Sequence, residues 1–231
     1  MLVLLTGVGR EGQVGEVVAR AFAERGATVL IVDRQVAEAE ARARALVERQ
    51  YRASAYGCDL TDAGAVGELA QRVRRDHGDR LDALVNMAGG FASTGTVADG
   101  DVDAWHRMLA INLTTAYLST RAFLPMVRGG RGAVVFFASE AALPGSRIAG
   151  TAAYAAAKTG VVTLMQAVAQ EERANGVRAN ALAPAAIRTA TNIESMGTDK
   201  RYVEREDVAA AVLWLCSEAA RAVTGQVIRL S

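Results

Sequence analysis

The sequence predicts an α/β protein, a single doubly wound domain over residues 1–231 with a mostly parallel seven-stranded sheet flanked by helices. Short apolar runs alternate with longer amphipathic stretches from end to end, which is the pattern of repeated strand–helix units. A glycine-rich turn follows the first apolar run directly, as it does in sheets that bind dinucleotides. No proline- or serine-rich linker divides the chain, so we expect one domain.

Each predicted strand is a short apolar run bounded by turn residues. In chain order, the seven strands are Leu2–Leu5, Thr28–Val32, Arg52–Tyr56, Ala83–Asn86, Ala133–Ala138, Arg178–Leu182 and Gln226–Leu230. The amphipathic stretches between them predict helices at Val14–Arg25, Val36–Gln50, Ala63–Asp76, Val102–Val127, Ala152–Ala174 and Glu206–Cys216. The three prolines fall at predicted helix ends or loops: Pro125, Pro144 and Pro184.

Composition excludes several classes of function. With 26 basic and 25 acidic side chains, the formal charge of +1 argues against a nucleic-acid or membrane-surface partner. The longest apolar stretch, Ala209–Cys216, is too short to cross a bilayer, and the first residues lack the features of a signal peptide, so we expect a cytoplasmic protein. We expect Cys58 and Cys216 to be buried free thiols, and His77 and His106 stand too far from other ligands to predict a metal site.

The glycine-rich turn spans residues 6–15, Thr-Gly-Val-Gly-Arg-Glu-Gly-Gln-Val-Gly. Glycines let the backbone approach a pyrophosphate whose charge is held by the N-terminus of the following helix. Asp33, at the end of the second predicted strand, has the position of an acid that binds an adenine ribose. Gln13 and Val14 stand where a P-loop requires Lys and Ser or Thr, so ATP hydrolysis is rejected.

A second group of residues carries candidate acid–base chemistry. Tyr154 and Lys158 lie four residues apart on one face of a predicted helix, and we expect the ammonium to lower the pKa of the phenol. Ser139 follows an apolar strand at the carboxyl edge of the sheet, where its hydroxyl can bind a carbonyl oxygen. Asn112 lies in the middle of a predicted helix, where asparagine needs a reason other than helix propensity.

Together these motifs resemble the short-chain dehydrogenase/reductase family, with its Rossmann-type fold, over essentially the whole chain. The matching segments, in the family's order, are Thr6-Gly7 with the following glycines, Asp59, Asn86-Met87-Ala88-Gly89, Asn112, Ser139, Tyr154-x-x-x-Lys158 and Asn180-Ala181-x-Ala183-Pro184-x-x-Ile187-x-Thr189. The resemblance implies that Tyr154 is the general acid/base and that Lys158 tunes it and holds the nicotinamide ribose. It further implies that Ser139 orients the carbonyl and that Asn112 supports a proton-relay water.

The same resemblance implies a set of cofactor contacts. Asp59 is expected at the adenine amino group, Asn86 and Ala88 at the central part of the cofactor, and Ile187 and Thr189 at the carboxamide. The other expected cofactor-binding positions are Gly7, Gly9, Gly12, Val14, Asp33, Arg34, Leu60, Gly89, Tyr154, Lys158 and Pro184.

The choice between NAD and NADP depends on opposing charges. The Asp33 carboxylate can accept hydrogen bonds from both ribose hydroxyls of NAD and would repel the 2′-phosphate of NADP. Arg34 and Arg10 would neutralise that phosphate if they pointed inward. The strand fixes the acid, whereas the arginines are long and close to solvent, so the sequence predicts NAD, with NADP possible.

Four departures from the family pattern stand out. The glycine loop is about two residues longer than the common form and carries Gln13 at a family glycine, a spacing similar to that of enoyl-acyl-carrier reductases. Ala185 replaces the usual glycine after the proline, and we expect an extended loop over 140–151. The lid near 190–203 is much shortened, so we expect a pocket that is open or closed by another subunit.

The predicted activity is hydride transfer between a nicotinamide dinucleotide and a small secondary alcohol or ketone. The alternatives are a non-catalytic NAD(P)-binding redox sensor and an NADPH-dependent 3-oxoacyl thioester reductase. A sugar-nucleotide epimerase of the same fold would need a larger C-terminal region. We also predict a homodimer or homotetramer built on the helices at 102–127 and 152–174, where Ala152–Ala157 and Gly160 would permit close helix approach.

Overall fold

A computed structural model describes residues 1–231 and confirms the predicted fold class. All seven strands are parallel and form one sheet in the order β3-β2-β1-β4-β5-β6-β7. The strands are β1 (Leu2–Thr6), β2 (Thr28–Asp33), β3 (Arg52–Gly57), β4 (Ala83–Asn86), β5 (Ala133–Phe137), β6 (Arg178–Pro184) and β7 (Val227–Leu230). The helices are α1 (Val14–Glu24), α2 (Val36–Val47), α3 (Ala63–His77), α4 (Val102–Leu109), α5 (Thr115–Gly130), α6 (Ala152–Glu171), α7 (Ala190–Met196) and α8 (Arg205–Leu215).

Two apolar cores lie on opposite faces of the sheet. Side chains alternate across a strand, so Leu4 and Leu5 of β1 enter different cores. Leu4 packs in the core that contains Phe123 of α5, and Leu5 packs in the core that contains Phe22 of α1. Because helices cover both faces, the strands are continuous apolar runs, which explains why the predicted strand ends are right to within one or two residues.

The long predicted helix at 102–127 is interrupted. It consists of α4, a π-helical turn at Ala110–Thr114 and α5, which continues to Gly130. Pro125 therefore lies inside α5, and its predicted position at a helix end is wrong. Proline removes one helical hydrogen bond, but Phe123 and Met126 beside it are fully buried, and this packing holds the helix together.

The segment of the predicted short lid contains a helix that the sequence analysis did not predict, α7. Thr189 begins it, its Oγ1 accepting a hydrogen bond from the Asn192 N–H at 3.2 Å. No helix in the chain is both long enough and apolar enough to cross a bilayer. Cys58 is a buried free thiol as predicted, whereas Cys216, at the end of α8, is partly exposed and that prediction is wrong.

The small residues of α6 are used inside the chain. Ala153, Ala155 and Ala157 are buried, and a Cβ added to Gly160 would lie 2.7 Å from Leu113 Cδ2 in the π-helical turn. The close approach that the sequence analysis assigned to a subunit contact is therefore an intramolecular one. It brings α6 against the π-helical turn.

Candidate active site

The predicted site residues meet at the carboxyl edge of the sheet. The chain order reverses between β1 and β4, and a crevice at such a point is where doubly wound sheets bind ligands. Most of the candidates follow the carboxyl end of a strand directly. The exceptions are Asn112, in the π-helical turn, and Tyr154 and Lys158, on α6.

The turn after β1 touches the turn after β4. Gly7 has a φ of +74° and Gly12 a φ of +70°, in the left-handed region that favours glycine. A Cβ on Gly7 would lie 2.6 Å from the Cα of Ala88, so only glycine allows this contact. The Thr6 hydroxyl joins the two turns by accepting hydrogen bonds from the N–H groups of Met87 at 3.1 Å and Ala88 at 3.2 Å.

Two carboxylates face the glycine loop at Gly9. A Cβ there would lie 2.8 Å from Asp33 Cγ and 2.9 Å from Glu38 Oε2. Asp33 also accepts a hydrogen bond from the Gln35 N–H at 3.0 Å. Sequence analysis found Asp33 from its strand-end position but missed Glu38, which nothing local distinguishes from the other acids of α2.

The turn after β3 holds a third carboxylate. Asp59 Oδ1 accepts hydrogen bonds from the N–H of Thr61 at 2.9 Å and from its hydroxyl at 2.6 Å, and these hold the pKa of the carboxyl below its ordinary value. Leu60 is buried beneath this turn. Arg34 and Arg10 are both exposed and form no ion pair.

The lengthened glycine loop is held from its outer side. Arg205 of α8 donates to the carbonyl of Gly12 at 2.7 Å, and the amide of Gln13 donates to Thr191 Oγ1 at 3.2 Å. Helix α1 begins at Val14, and no side chain caps its N-terminus. Its first N–H groups therefore remain free for an anion such as a pyrophosphate.

Tyr154 and Lys158 project toward the end of β5. Lys158 is buried, and its Nζ donates to the carbonyl of Phe137 at 2.7 Å and lies 5.8 Å from the centre of the Tyr154 ring. Ser139 follows β5, where its Oγ accepts a hydrogen bond from the Ala141 N–H at 3.2 Å. The hydroxyl, phenol and amine predicted to act together thus come from the end of one strand and one helix.

Burial controls the protonation of this group. It raises the pKa of Tyr154, and the neighbouring Ser139 hydroxyl acts in the opposite direction. It also lowers the pKa of Lys158 to about 8. The expectation that Lys158 lowers the pKa of Tyr154 is wrong for this structure, because loss of hydration outweighs any charge effect and the ammonium is directed at a backbone carbonyl.

Asn112 is fixed by backbone groups. Its Oδ1 accepts from the Gly90 N–H at 3.1 Å, and its Nδ2 donates to the carbonyls of Gly90 at 2.9 Å and Met108 at 3.1 Å. A Cβ on Gly89 would lie 2.5 Å from Asn112 Oδ1 and 3.5 Å from Lys158 Nζ. These contacts explain an asparagine in the middle of a long helix, and the π-helical turn is what directs it there.

The remaining candidates line the ends of β4 and β6. Asn86 is buried, its Nδ2 donates to Thr120 Oγ1 at 3.0 Å, and its Oδ1 has no partner. Pro184 ends β6, Ile187 bridges the segment after α7, and Thr189 is buried at the start of that helix. The side chain of Asn86 therefore points toward α5, with one free acceptor.

One aromatic residue of the site was missed from the sequence. Phe91, in the loop after β4, packs edge-on against Tyr154, with ring centres 5.1 Å apart and planes at 83°. It lies in a run of small and polar residues where nothing local indicates a site. Only the three-dimensional contact identifies it.

The residues present fit a nicotinamide dinucleotide. The bare backbone at Gly7 and Gly9 leaves room that a Cβ would fill, and the open N-terminus of α1 suits a pyrophosphate. The carboxylate of Asp33 at the same loop suits the hydroxyls of a ribose. When bound, such a cofactor supplies a ring that accepts or gives up a hydride.

Comparisons with known proteins agree with this reading. A sequence profile described as enoyl-(acyl carrier protein) reductase matches residues 7–230. The chain is similar to 2-(S)-hydroxypropyl-CoM dehydrogenase 3 of Xanthobacter autotrophicus, 33% identical over 97% of this chain and 92% of that protein. It is 31% identical to D-threitol dehydrogenase of Mycolicibacterium smegmatis, over 94% of this chain and 86% of that one. A solved short-chain type dehydrogenase/reductase from Mycobacterium ulcerans superimposes with a TM-score of 0.88 at 33% identity, covering 99% and 87% of the two chains.

Proposed function

The chain belongs to the short-chain dehydrogenase/reductase family, and on that premise we propose that it interconverts a secondary alcohol and a ketone with Tyr154 as general acid/base. It is a nicotinamide-dependent oxidoreductase acting on CH–OH groups of small molecules, as its dehydrogenase relatives indicate. The observation that carries the residue assignment is the convergence of Ser139, Tyr154 and Lys158 at the end of β5.

In the proposed mechanism Tyr154 moves the substrate proton. During oxidation the phenolate takes the proton from the alcohol as the hydride leaves the carbinol carbon, and during reduction the phenol returns it. Because burial raises the pKa of Tyr154, the phenol is neutral at neutral pH in this structure. Reduction therefore starts from the correct protonation state, whereas oxidation should accelerate as the pH rises. Ser139 donates to the same substrate oxygen.

Lys158 and Asn112 have positioning roles. The ammonium has three N–H donors, of which one is used by Phe137, so two remain for the ribose of the cofactor. Asn112 lies with Gly89 beside this ammonium and fixes the loop after β4 by its paired hydrogen bonds to Gly90. Its backbone ties are consistent with the proposed support of a proton-relay water.

The test is turnover measured by the absorbance of the reduced nicotinamide, with secondary alcohols, polyols and 3-oxoacyl thioesters as substrates. We expect Tyr154→Phe to lower kcat by about 10²- to 10⁴-fold and to leave the cofactor Kd within about twofold. Tyr51→Phe removes a hydroxyl that makes no hydrogen bond to the protein and serves as the control. If Tyr154→Phe keeps more than about a tenth of kcat, the assignment of the general acid/base is rejected.

We propose NAD rather than NADP as the cofactor. Two carboxylates, Asp33 and Glu38, face the loop at Gly9, and a 2′-phosphate there would be repelled by both. Neither forms an ion pair, so neither negative charge is neutralised within the protein. The exposed position of Arg34 favours solvent over an inward contact with a phosphate.

Binding measurements with both cofactors test this choice. Asp33→Ala and Glu38→Gln should each shift the ratio of the Kd values toward NADP by roughly tenfold. Glu40→Gln removes the same charge from an exposed position on α2 and should shift the ratio little. A wild-type preference for NADP would show that Arg10 and Arg34 control the pocket. No shift in Asp33→Ala would mean that this carboxylate serves only to cap the start of α2.

We further propose that residues 1–231 act as one dinucleotide-binding and catalytic domain with a shortened lid. The segment 190–203 contributes only the seven-residue α7 and one bridge to Ile187. This leaves little chain to cover a substrate, which supports a pocket that is open or completed by another subunit.

A homo-oligomer remains a proposal that other residues support. On α4, Val102 is 65% exposed and Trp105 is 39% exposed, and on α5 Tyr117 is 49% exposed. Apolar side chains on the two helices of the predicted contact are consistent with a homodimer. Light scattering at micromolar concentration tests it, and a monomer there would contradict the proposal.

A further inference from the structure

Phe91 is a large apolar side chain that the core does not use. It is 68% exposed, in the loop between β4 and α4, and the only aromatic ring against which it packs is that of Tyr154. The edge-on geometry covers one side of the phenol and leaves most of the Phe91 ring open. An exposed ring gains nothing from burial, so its position calls for a partner that the folded chain does not supply.

The loop holds Phe91 in place against Tyr154. The carbonyl of Gly150 accepts two hydrogen bonds from it, one from the Ser93 hydroxyl and one from the Thr94 N–H, both at 2.9 Å. Gly150 stands two residues before α6, the helix that carries Tyr154. The two hydrogen bonds therefore tie Phe91 to the start of the catalytic helix, and the ring is positioned rather than free.

The surroundings leave this ring as a wall of the substrate site. Ile148, from the loop that precedes α6, is 45% exposed and adds a second apolar side chain near the same end of that helix. The short α7 leaves few other residues to contact a substrate. A molecule whose hydroxyl reaches Tyr154 meets the Phe91 ring beside it.

We propose that Phe91 determines substrate specificity by contacting an apolar substituent on the carbinol carbon. The enzyme then prefers secondary alcohols with a hydrocarbon arm over polyols of the same length, because a polar arm would have to lose its hydration against the ring. This inference rests on the proposed function, since it takes Tyr154 as the group that holds the substrate hydroxyl.

The experiment compares an arm-length series in wild type and three variants. The probes are 2-propanol, 2-hexanol and 2-octanol for kcat/KM, with 1,2-hexanediol as the polar analogue. Calorimetric titration of the enzyme–NADH complex with acetone and 2-octanone gives Kd values that do not depend on turnover. Phe91→Ala removes the ring, Phe91→Leu keeps an apolar contact, and Val97→Ala is the control. Val97 lies in the same loop, is 87% exposed and has no contact with Tyr154.

We expect wild-type kcat/KM to rise from 2-propanol to 2-octanol and to fall for the diol. Phe91→Ala should reduce the 2-octanol to 2-propanol ratio by about tenfold or more, mainly through KM, with kcat for 2-propanol within about twofold. Phe91→Leu should keep most of the ratio, and Val97→Ala all of it. The Kd of 2-octanone should weaken in step.

Three results would overturn the inference. The first is a wild type that neither oxidises 2-octanol faster nor binds 2-octanone more tightly than the short analogues. The second is a ratio in Phe91→Ala within twofold of wild type, and the third is an equal effect of Val97→Ala. Failure of the proposed function is a separate outcome, because it appears as unimpaired turnover of 2-propanol by Tyr154→Phe.

Discussion

A single methyl group at Gly89 should disturb both stability and catalysis. In Gly89→Ala the new Cβ would lie 2.5 Å from Asn112 Oδ1, about 0.9 Å inside ordinary contact at 3.4 Å. Asn112 is only 1% exposed and is fixed by three backbone hydrogen bonds, so the clash cannot be relieved by a small rotation.

The cost follows from what Asn112 must give up. Moving Oδ1 by that distance breaks its bond to the Gly90 N–H, now 3.1 Å, and leaves a buried acceptor unsatisfied, at about 1–3 kcal/mol. An off-rotamer side chain adds about 0.5–1.5 kcal/mol. We therefore expect a loss of about 2–4 kcal/mol in the free energy of unfolding. For a chain of this size each kcal/mol lowers Tm by about 2–4 °C.

The assay combines thermal melting, kcat and cofactor affinity. The same methyl would stand 3.5 Å from Lys158 Nζ, so we expect kcat and cofactor affinity to fall together with Tm. Gly67→Ala is the matched control, because a Cβ at this position of α3 meets nothing within 4 Å and should stabilise the helix by about 0.5–1 kcal/mol. If Gly89→Ala melts within about 1 °C of wild type with normal kcat, the proposed role of the Asn112 contacts is refuted.

Two further predictions concern buried charges. The chain has two lysines, so ¹³C labelling at Cε gives two resonances, and the one retained in Lys200→Arg should titrate near pH 8; a Lys158 resonance with an ordinary pKa would show that the amine is hydrated. Because that lowered pKa leaves more protons on the unfolded chain above about pH 8, it also makes the stability of the cofactor-free protein rise with pH from there toward the ordinary lysine value. Glu172 is 1% exposed and accepts hydrogen bonds from Arg128 at 2.6 Å and Asn175 at 2.8 Å, so Arg128→Ala should lower the free energy of unfolding by about 3 kcal/mol at pH 7. The pKa of Glu172 is lowered on folding, so this contribution is present above the ordinary glutamate pKa and lost as the pH falls below it; urea unfolding that shows the same deficit at pH 7 and at about pH 3 would contradict the ion-pair explanation.

Local pattern was enough to predict what depends on local pattern. Strands such as Ala83–Asn86 are buried on both faces, so a continuous apolar run marks them and their carboxyl ends mark the site. Pro125 and the π-helical turn at Ala110–Thr114 escaped prediction because packing from other helices overrides the helix propensity there. Glu38 and Phe91 escaped because their roles exist only through contacts with residues distant in sequence.

The contact of Gly7 with Ala88 has a consequence for how the protein is made. Since β1 pairs with β2 on one side and β4 on the other, the glycine loop gains its full set of neighbours only when about the first ninety residues have left the ribosome. Asp33 and Asp59 lie within that length, whereas Ser139 and Tyr154 are synthesised much later. The nascent chain thus completes the adenosine half of its site before the reactive half exists. A cofactor present during translation therefore meets a finished binding surface on an unfinished enzyme.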